Sequence, residues 1–233
     1  EVCEKPTVQL YNCKICGDQE TETCPRHEAN RAYTFREIDI NHYFSTSLKK
    51  LGMKTYPDLI KGVKGTVNKS HIPENLCKSI LRSKYNLQVN KDGTIRYDIT
   101  EMPLTHFKPK EVGTPIDKLK SLGYEKDIYG KPLENDEQIL EIFPHDIVLP
   151  SCPDSQDERA DDVFLRVSKF IDEELEKIYG LPKTFNIQKK EDLVGILFAC
   201  IAPHICTATV GRLIGFSKTQ GLLASPYMHA AMR

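Results

Sequence analysis

The chain has 233 residues, 32 of them Lys or Arg and 33 Asp or Glu, for a net charge of −1. That length can bury a core and divide into one to three small domains, and a charged fraction of 28% marks a soluble chain. The balance of charge excludes a global basic field, so any affinity for nucleic acid has to come from local clusters.

No apolar run reaches the length of a membrane span; the best, "LVGILFACIA" at 193–202, is far too short. There is no secretory signal pattern, and the chain opens on Glu rather than Met, as a fragment or processed piece would. Of eight cysteines, three sit in one cluster; the others are scattered, Cys200 and Cys206 in apolar context, as in a reducing cytoplasm.

The cluster comes first in chain order. "NCKICGDQETETCPRHE" places Cys13 and Cys16 two residues apart, then Cys24 and His27 two apart, with Gly17 and Pro25 suited to tight turns. Three thiolates and one imidazole make a closed tetrahedral set of the structural Zn²⁺ type, with no carboxylate general base at a fixed short spacing. The reading is a zinc ribbon over 1–30 rather than a disulfide. Cys3 competes with His27 as fourth ligand. So short a segment has no core of its own, and the ion would supply its folding energy.

Mixed α and β signals follow, giving a β-rich domain over 31–150. "INHYFSTSLKKLGM" at 40–53 has apolar residues at helical spacing and a glycine near its end. "KGVKG" sets Lys61 and Lys64 beside Gly62 and Gly65, with Lys69 and His71 just beyond. Glycines let a backbone approach a phosphate and lysines supply point charge, but the spacing is not that of a Walker loop, and taken alone the turn reads as solvated surface. "YNLQVNKDGTIRYDIT" at 85–100 reads as a hairpin turning at Lys91-Asp92-Gly93.

"MPLTHFKPKEVG" and "EIFPHDIVLP" add short Pro-bounded extended pieces, and Lys108 and Lys110 flank Pro109 in what reads as exposed surface. Between them, "PIDKLKSLGYEKDIYGKPL" has a helical start and two glycine breaks. Many short strands with Gly and Pro corners suit a small barrel with few helices. The acidic stretch "SCPDSQDERADD" at 151–162 reads as a linker or exposed loop.

From 163 to 233 helices are expected. Val163, Phe164, Val167, Phe170, Ile171, Leu175 and Ile178 fall on one helical face, stopped by Gly180 and Pro182. "KKEDLVGILFACIA" at 189–202, apolar nearly all round, reads as a second, buried helix. No acidic side chain follows Asp192.

The run "EDLVGILFACIAPHICTATVGRLIGFSKTQGLLASPYMHAAMR" closely resembles the large-subunit family of the archaeal D-family DNA polymerases. The resemblance extends along essentially the whole chain, through the zinc module, "DLIKGVKG", "DGTIRYDITEMPLTHFKPKEVG", "LGYEKDIYGKPL" and "FIDEELEKIYGLPK". This sequence departs from the family at Ser225, where His is common, at Met232, where a basic residue is usual, and at His27, where a fourth Cys is typical. The Ala-Pro-His and Pro-Tyr-x-His-Ala-Ala pieces also look like the approach to the Asp-rich loop of the largest subunit of multisubunit RNA polymerases.

The resemblance implies an α+β chain: a zinc ribbon, double-psi β-barrel elements of a two-barrel polymerase, and packing helices, with 163–233 leading into the second barrel. It implies DNA synthesis on a primer-template from dNTPs. Catalytic Mg²⁺ would be held by an Asn-Cys-Asp-Gly-Asp loop expected just beyond Arg233. A small subunit carrying the 3′–5′ exonuclease is the expected partner, with the sliding clamp another. Under it, Lys61 and Lys64 become the basic side of the active site. Lys69, Lys108, Lys110, Arg212, Lys218, His229 and Arg233 become candidate DNA or phosphate contacts, and His204 a structural histidine. Two rivals stay open: a zinc-ribbon DNA-binding or assembly module without chemistry, and an RNA polymerase relative.

Overall fold

The computed structural model describes residues 11–19, 23–27, 39–63, 74–90, 93–153, 158–201 and 208–231. The chain divides into two units, Glu1–Ser45 and Thr46–Arg233. In the first, strands β1 (Tyr11–Cys13) and β2 (Gly17–Gln19) form an antiparallel hairpin. The division falls inside helix α1 (Ile40–Leu51), which lies within the expected span and ends at Gly52, whose φ is +69°.

The second unit is built on a mixed sheet of five strands: β3 (Glu101–Pro103), β6 (Asp146–Pro150), β7 (Leu197–Ile201), β8 (Ala208–Ser217) and β9 (Leu222–Ala224). Their order across the sheet is β3-β9-β6-β8-β7. β6 runs parallel to β8 and antiparallel to β9; β3 is parallel to β9, and β7 antiparallel to β8. A separate two-stranded pair joins β4 (His106–Phe107) to β5 (Leu140–Glu141). The architecture is therefore mixed α and β around one sheet.

All five residues of β6 are buried, because the sheet is covered on both faces. The two-residue alternation of a strand sends Val148 and Ile214 into one core with Phe107, Leu119, Leu133 and Leu140. Ile147, Leu149 and Leu213 enter a second core with Ala160, Leu193 and Met228. Helices α3 (Pro109–Val112) and α4 (Ile116–Ser121) supply the first core. Helix α5 (Ala160–Glu174), the 3₁₀ turn Lys190–Leu193 and helix α6 (Pro226–Ala231) supply the second.

Several elements depart from expectation. Helix α2 (Leu76–Lys84), capped by the Asn75 side chain accepting from the Cys77 N–H, was not anticipated. At 85–100 the Asn90 N–H donates to the Thr94 carbonyl at 2.9 Å, with Lys91 and Asp92 of the expected turn outside the described residues, and Ile95, Tyr97 and Ile99 alternate inward. No strand is assigned there among the described residues, and Tyr97 and Ile99 pack directly on the second core. The acidic stretch is shorter than read: α5 begins at Ala160, and Asp161 is fully buried, bonded to Ser151 and paired with Arg159 and Lys190.

The second buried helix does not form. Gly195, at φ +102°, ends the 3₁₀ turn, and residues 197–201 form edge strand β7. Phe198 and Cys200 face the core while Leu197 and Ile201 are exposed, an amphipathic strand rather than an all-apolar helix. Among the described residues of 163–233 the helical elements are α5, continued by a π turn at Leu175–Tyr179 and closed at Gly180, the 3₁₀ turn at Lys190–Leu193, and α6.

Candidate functional site

The first unit brings Cys13, Cys16, Cys24 and His27 together, their ligand atoms all within 4.8 Å of one another. The β1–β2 turn, with Gly17 at φ +82°, presents Cys13 and Cys16; the turn at 23–27 presents Cys24 and His27. His27 Nδ1 lies 3.6, 3.4 and 3.5 Å from the sulfurs of Cys13, Cys16 and Cys24, and the Cys16 and Cys24 sulfurs are 3.9 Å apart. A tetrahedral zinc with bonds of about 2.3 Å to sulfur and 2.05 Å to nitrogen has edges of roughly 3.6 Å (S···N) and 3.8 Å (S···S). The three His27–sulfur separations and the Cys16–Cys24 separation lie close to those edges, and the whole set stays within 4.8 Å.

The Arg26 backbone N–H donates to Cys24 Sγ and draws that thiol down to about 6, toward the thiolate a metal needs. The cluster can hold a metal ion such as zinc. Cys3 lies outside the described residues.

Of the expected basic side, Lys61 is described and exposed, while Lys64 and Lys69 lie outside the described residues. The main chain around Lys61 is held by side chains. Arg82, buried at 4% exposure, makes two bonds to Glu74 and a third from Nη1 to the Lys61 carbonyl at 3.4 Å. Glu74 Oε2 accepts from the Val63 N–H at 3.1 Å and from the Ser79 hydroxyl at 2.8 Å, and Ser83 Oγ donates to the Leu59 carbonyl. Burial raises the Glu74 pKa, but these donors outweigh it and hold the carboxyl below its ordinary value.

The other candidate cations are mostly engaged. Lys108 and Lys110 both pair with Glu137, and that carboxylate raises the Lys110 pKa. Arg212 makes a fork to Asp146, Nε to Oδ1 and Nη2 to Oδ2, each at 2.7 Å. Asp146 is 2% exposed and also accepts from the Tyr124 hydroxyl at 2.6 Å. Tyr124 in turn accepts from the Phe143 N–H and stacks on that ring at 4.3 Å. Burial, then Asp146, pushes the Tyr124 pKa up, and Asp146 raises that of Arg212. Arg212 ties β8 to β6.

Lys218 sits in the exposed turn between β8 and β9. His229, on α6, has Nδ1 at 3.4 Å from Glu101 Oε2 without a well-formed hydrogen bond. Ser225 caps α6: its hydroxyl accepts from the Met228 N–H and donates to the Pro144 carbonyl. His204 and Arg233 lie outside the described residues.

The Glu74–Arg82 pair and Asp146 were missed in the sequence. Asn75 before Leu76, Ile80 and Leu81 was the available signal for α2, and with it the stripe Ser79, Arg82, Ser83. For Asp146 there was no local signal.

Residues 52–233 match the family described as the DNA polymerase II large subunit DP2, catalytic domain. Curated proteins named DNA polymerase II large subunit align along the chain. That of Nanoarchaeum equitans is 47% identical over 213 residues, 87% of this chain and 17% of its own length. That of Methanocella arvoryzae is 42% identical over 99% of this chain and 20% of its own. That of Thermococcus kodakarensis is 42% identical over 100% of this chain and 13% of its own. The chain spans a fifth or less of the length of these relatives.

Proposed function

The chain belongs to the family of DNA polymerase II large subunits, and from that premise we propose that it serves as one segment of a replicative DNA polymerase. The observation that carries this reading is the family match over 52–233, with identities above 40% reaching into the cysteine cluster. It also weighs against the RNA polymerase alternative.

The proposed reaction is template-directed 5′–3′ synthesis, in which a primer 3′-hydroxyl attacks a dNTP and pyrophosphate leaves. Mg²⁺ would lower the cost of charge on the attacking and leaving oxygens. The described residues do not fit that ion: the only cluster of three or more metal-ligating groups among them is the Cys₃His set. In this reading the Mg²⁺-binding carboxylates come from other parts of the longer polypeptide, and the isolated chain should not catalyse incorporation. Zinc fits the Cys₃His set and would fold the N-terminal module, with no part in the chemistry.

In this reading Lys61, with Lys64, lies on the basic side of the active site and meets phosphates of the dNTP or primer. The five-stranded sheet would be part of a double-psi barrel completed elsewhere in the polypeptide. The partners are a primer-template, dNTPs and the small subunit, which would bring the 3′–5′ exonuclease; the sliding clamp is a further partner. The compartment is the cytoplasm. No described helix is long and apolar enough to cross a membrane.

Single-turnover incorporation by the complete large and small subunits at saturating DNA tests the lysines. Lys61→Ala and Lys64→Ala should each lose on the order of 10²–10³ in rate, as expected for a cation aimed at transition-state charge. Lys49→Ala, on the exposed side of α1, should match wild type. Equal rates and equal salt dependence for all three would assign the lysines to solvated surface.

A further inference from the structure

We propose that Glu74 and Arg82 are positioning residues that hold the main chain of residues 59–63 and thereby fix where Lys61 points. The inference rests on the reading of Lys61 as a phosphate contact. α2 presents Ser79, Arg82 and Ser83 at i, i+3 and i+4, so all three lie on one side of the helix. Each touches the segment or its carboxylate anchor. Ser83 bonds the Leu59 carbonyl, Arg82 the Lys61 carbonyl, and Ser79 the Glu74 oxygen that accepts from Val63.

The segment has no helix or strand of its own: residues 59–63 form none, and Lys61 and Gly62 are exposed. Its carbonyls and N–H groups would otherwise face water, and nothing regular would set its course. A cavity of about 140 Å³ opens beside it, lined by Leu59, Lys61, Arg82 and Asn86 among others. Packing therefore leaves room for the segment to shift, and directional bonds have to locate it.

A buried ion pair is a costly way to add stability, because desolvation offsets most of the attraction. What it supplies here is geometry. The Arg82 fork is locked by Glu74, and one nitrogen of that fork also reaches the Lys61 carbonyl. Misplacement of a catalytic cation by about 1 Å can cost roughly 10²-fold in rate. The pair never touches substrate; it acts through Lys61.

A double-mutant cycle in the complete polymerase, with large and small subunits together, tests this. The measurement is single-turnover incorporation at saturating primer-template across a dNTP series, for Lys61→Ala, Arg82→Gln, Ser83→Ala and the two doubles carrying Lys61→Ala. Arg82→Gln is expected to lower the maximal rate about 10- to 100-fold with little change in dNTP affinity. Ser83→Ala should move the same way by less.

In the Lys61→Ala background neither change should lower the rate further, since the group being positioned is gone. Rates that multiply in the doubles would overturn the positioning role while leaving Lys61 as a phosphate contact. An unchanged rate for Lys61→Ala would overturn the reading of Lys61 and the inference with it. Should Arg82→Gln fail to fold, Ser83→Ala, which leaves the ion pair intact, decides the cycle alone.

Discussion

At Cys13, Cys16, Cys24 and His27 the histidine nitrogen lies 3.4–3.6 Å from each sulfur, close to the edges of a zinc tetrahedron, and Cys24 is held toward thiolate by the Arg26 N–H. Metal analysis of the purified chain is expected to give one zinc per chain. His27→Ala should lose the ion or weaken its retention by at least tenfold against a chelator, and Cys3→Ser should keep it. The opposite pattern would make Cys3 the fourth ligand. This site was legible in the sequence because Cys-x2-Cys and Cys-x2-His are local spacings that short turns convert directly into geometry. Arg212 was not. Its partner Asp146 lies 66 residues away, and only the parallel pairing of β6 with β8, which puts the two residues in register, brings the charges together.

Among the elements, β8 shows how closely the layers approach. A Cβ on Gly215 would lie 2.6 Å from both the Cβ and the carbonyl oxygen of Val112 and 2.8 Å from Thr114 Oγ1. Thr114 meanwhile bonds the Ile214 carbonyl at 2.6 Å, tying the segment after α3 to the strand. Gly215→Ala is therefore expected to destabilise the fold by about 1–3 kcal/mol, as overpacking against backbone does. Denaturant unfolding of the chain checks this, and an unchanged midpoint would count against the close approach. Elements with strong local punctuation were readable: α1 ahead of Gly52, α4 ahead of Gly123, and α5 with its π turn ahead of Gly180. β7 was misread because "LFACI" is apolar throughout, and periodicity cannot separate such a run from a buried helix; pairing with β8 decided it. Sheet partners were not legible, since β3 pairs with β9 and β6 with β8, each far downstream in the chain.

For the whole molecule, one sheet joins residues from 101 to 224, and the family match runs across all of it. Sequence resemblance carried the family reading, because membership in the family of DNA polymerase II large subunits leaves its mark along the chain. The proposed chemistry was only partly legible, since this chain offers cations and a Cys₃His cluster that can hold a metal but, among its described residues, no acidic cluster for Mg²⁺. Two-metal phosphoryl transfer requires such carboxylates. Primer extension with a primed template, dNTPs and Mg²⁺ tests the central claim most directly, comparing this chain alone with the complete large subunit joined to its small subunit. The complete pair should extend the primer and the chain alone should give no incorporation above background. Robust extension by the chain alone, or none by the complete pair, would contradict its place as a contributing segment of a DNA polymerase.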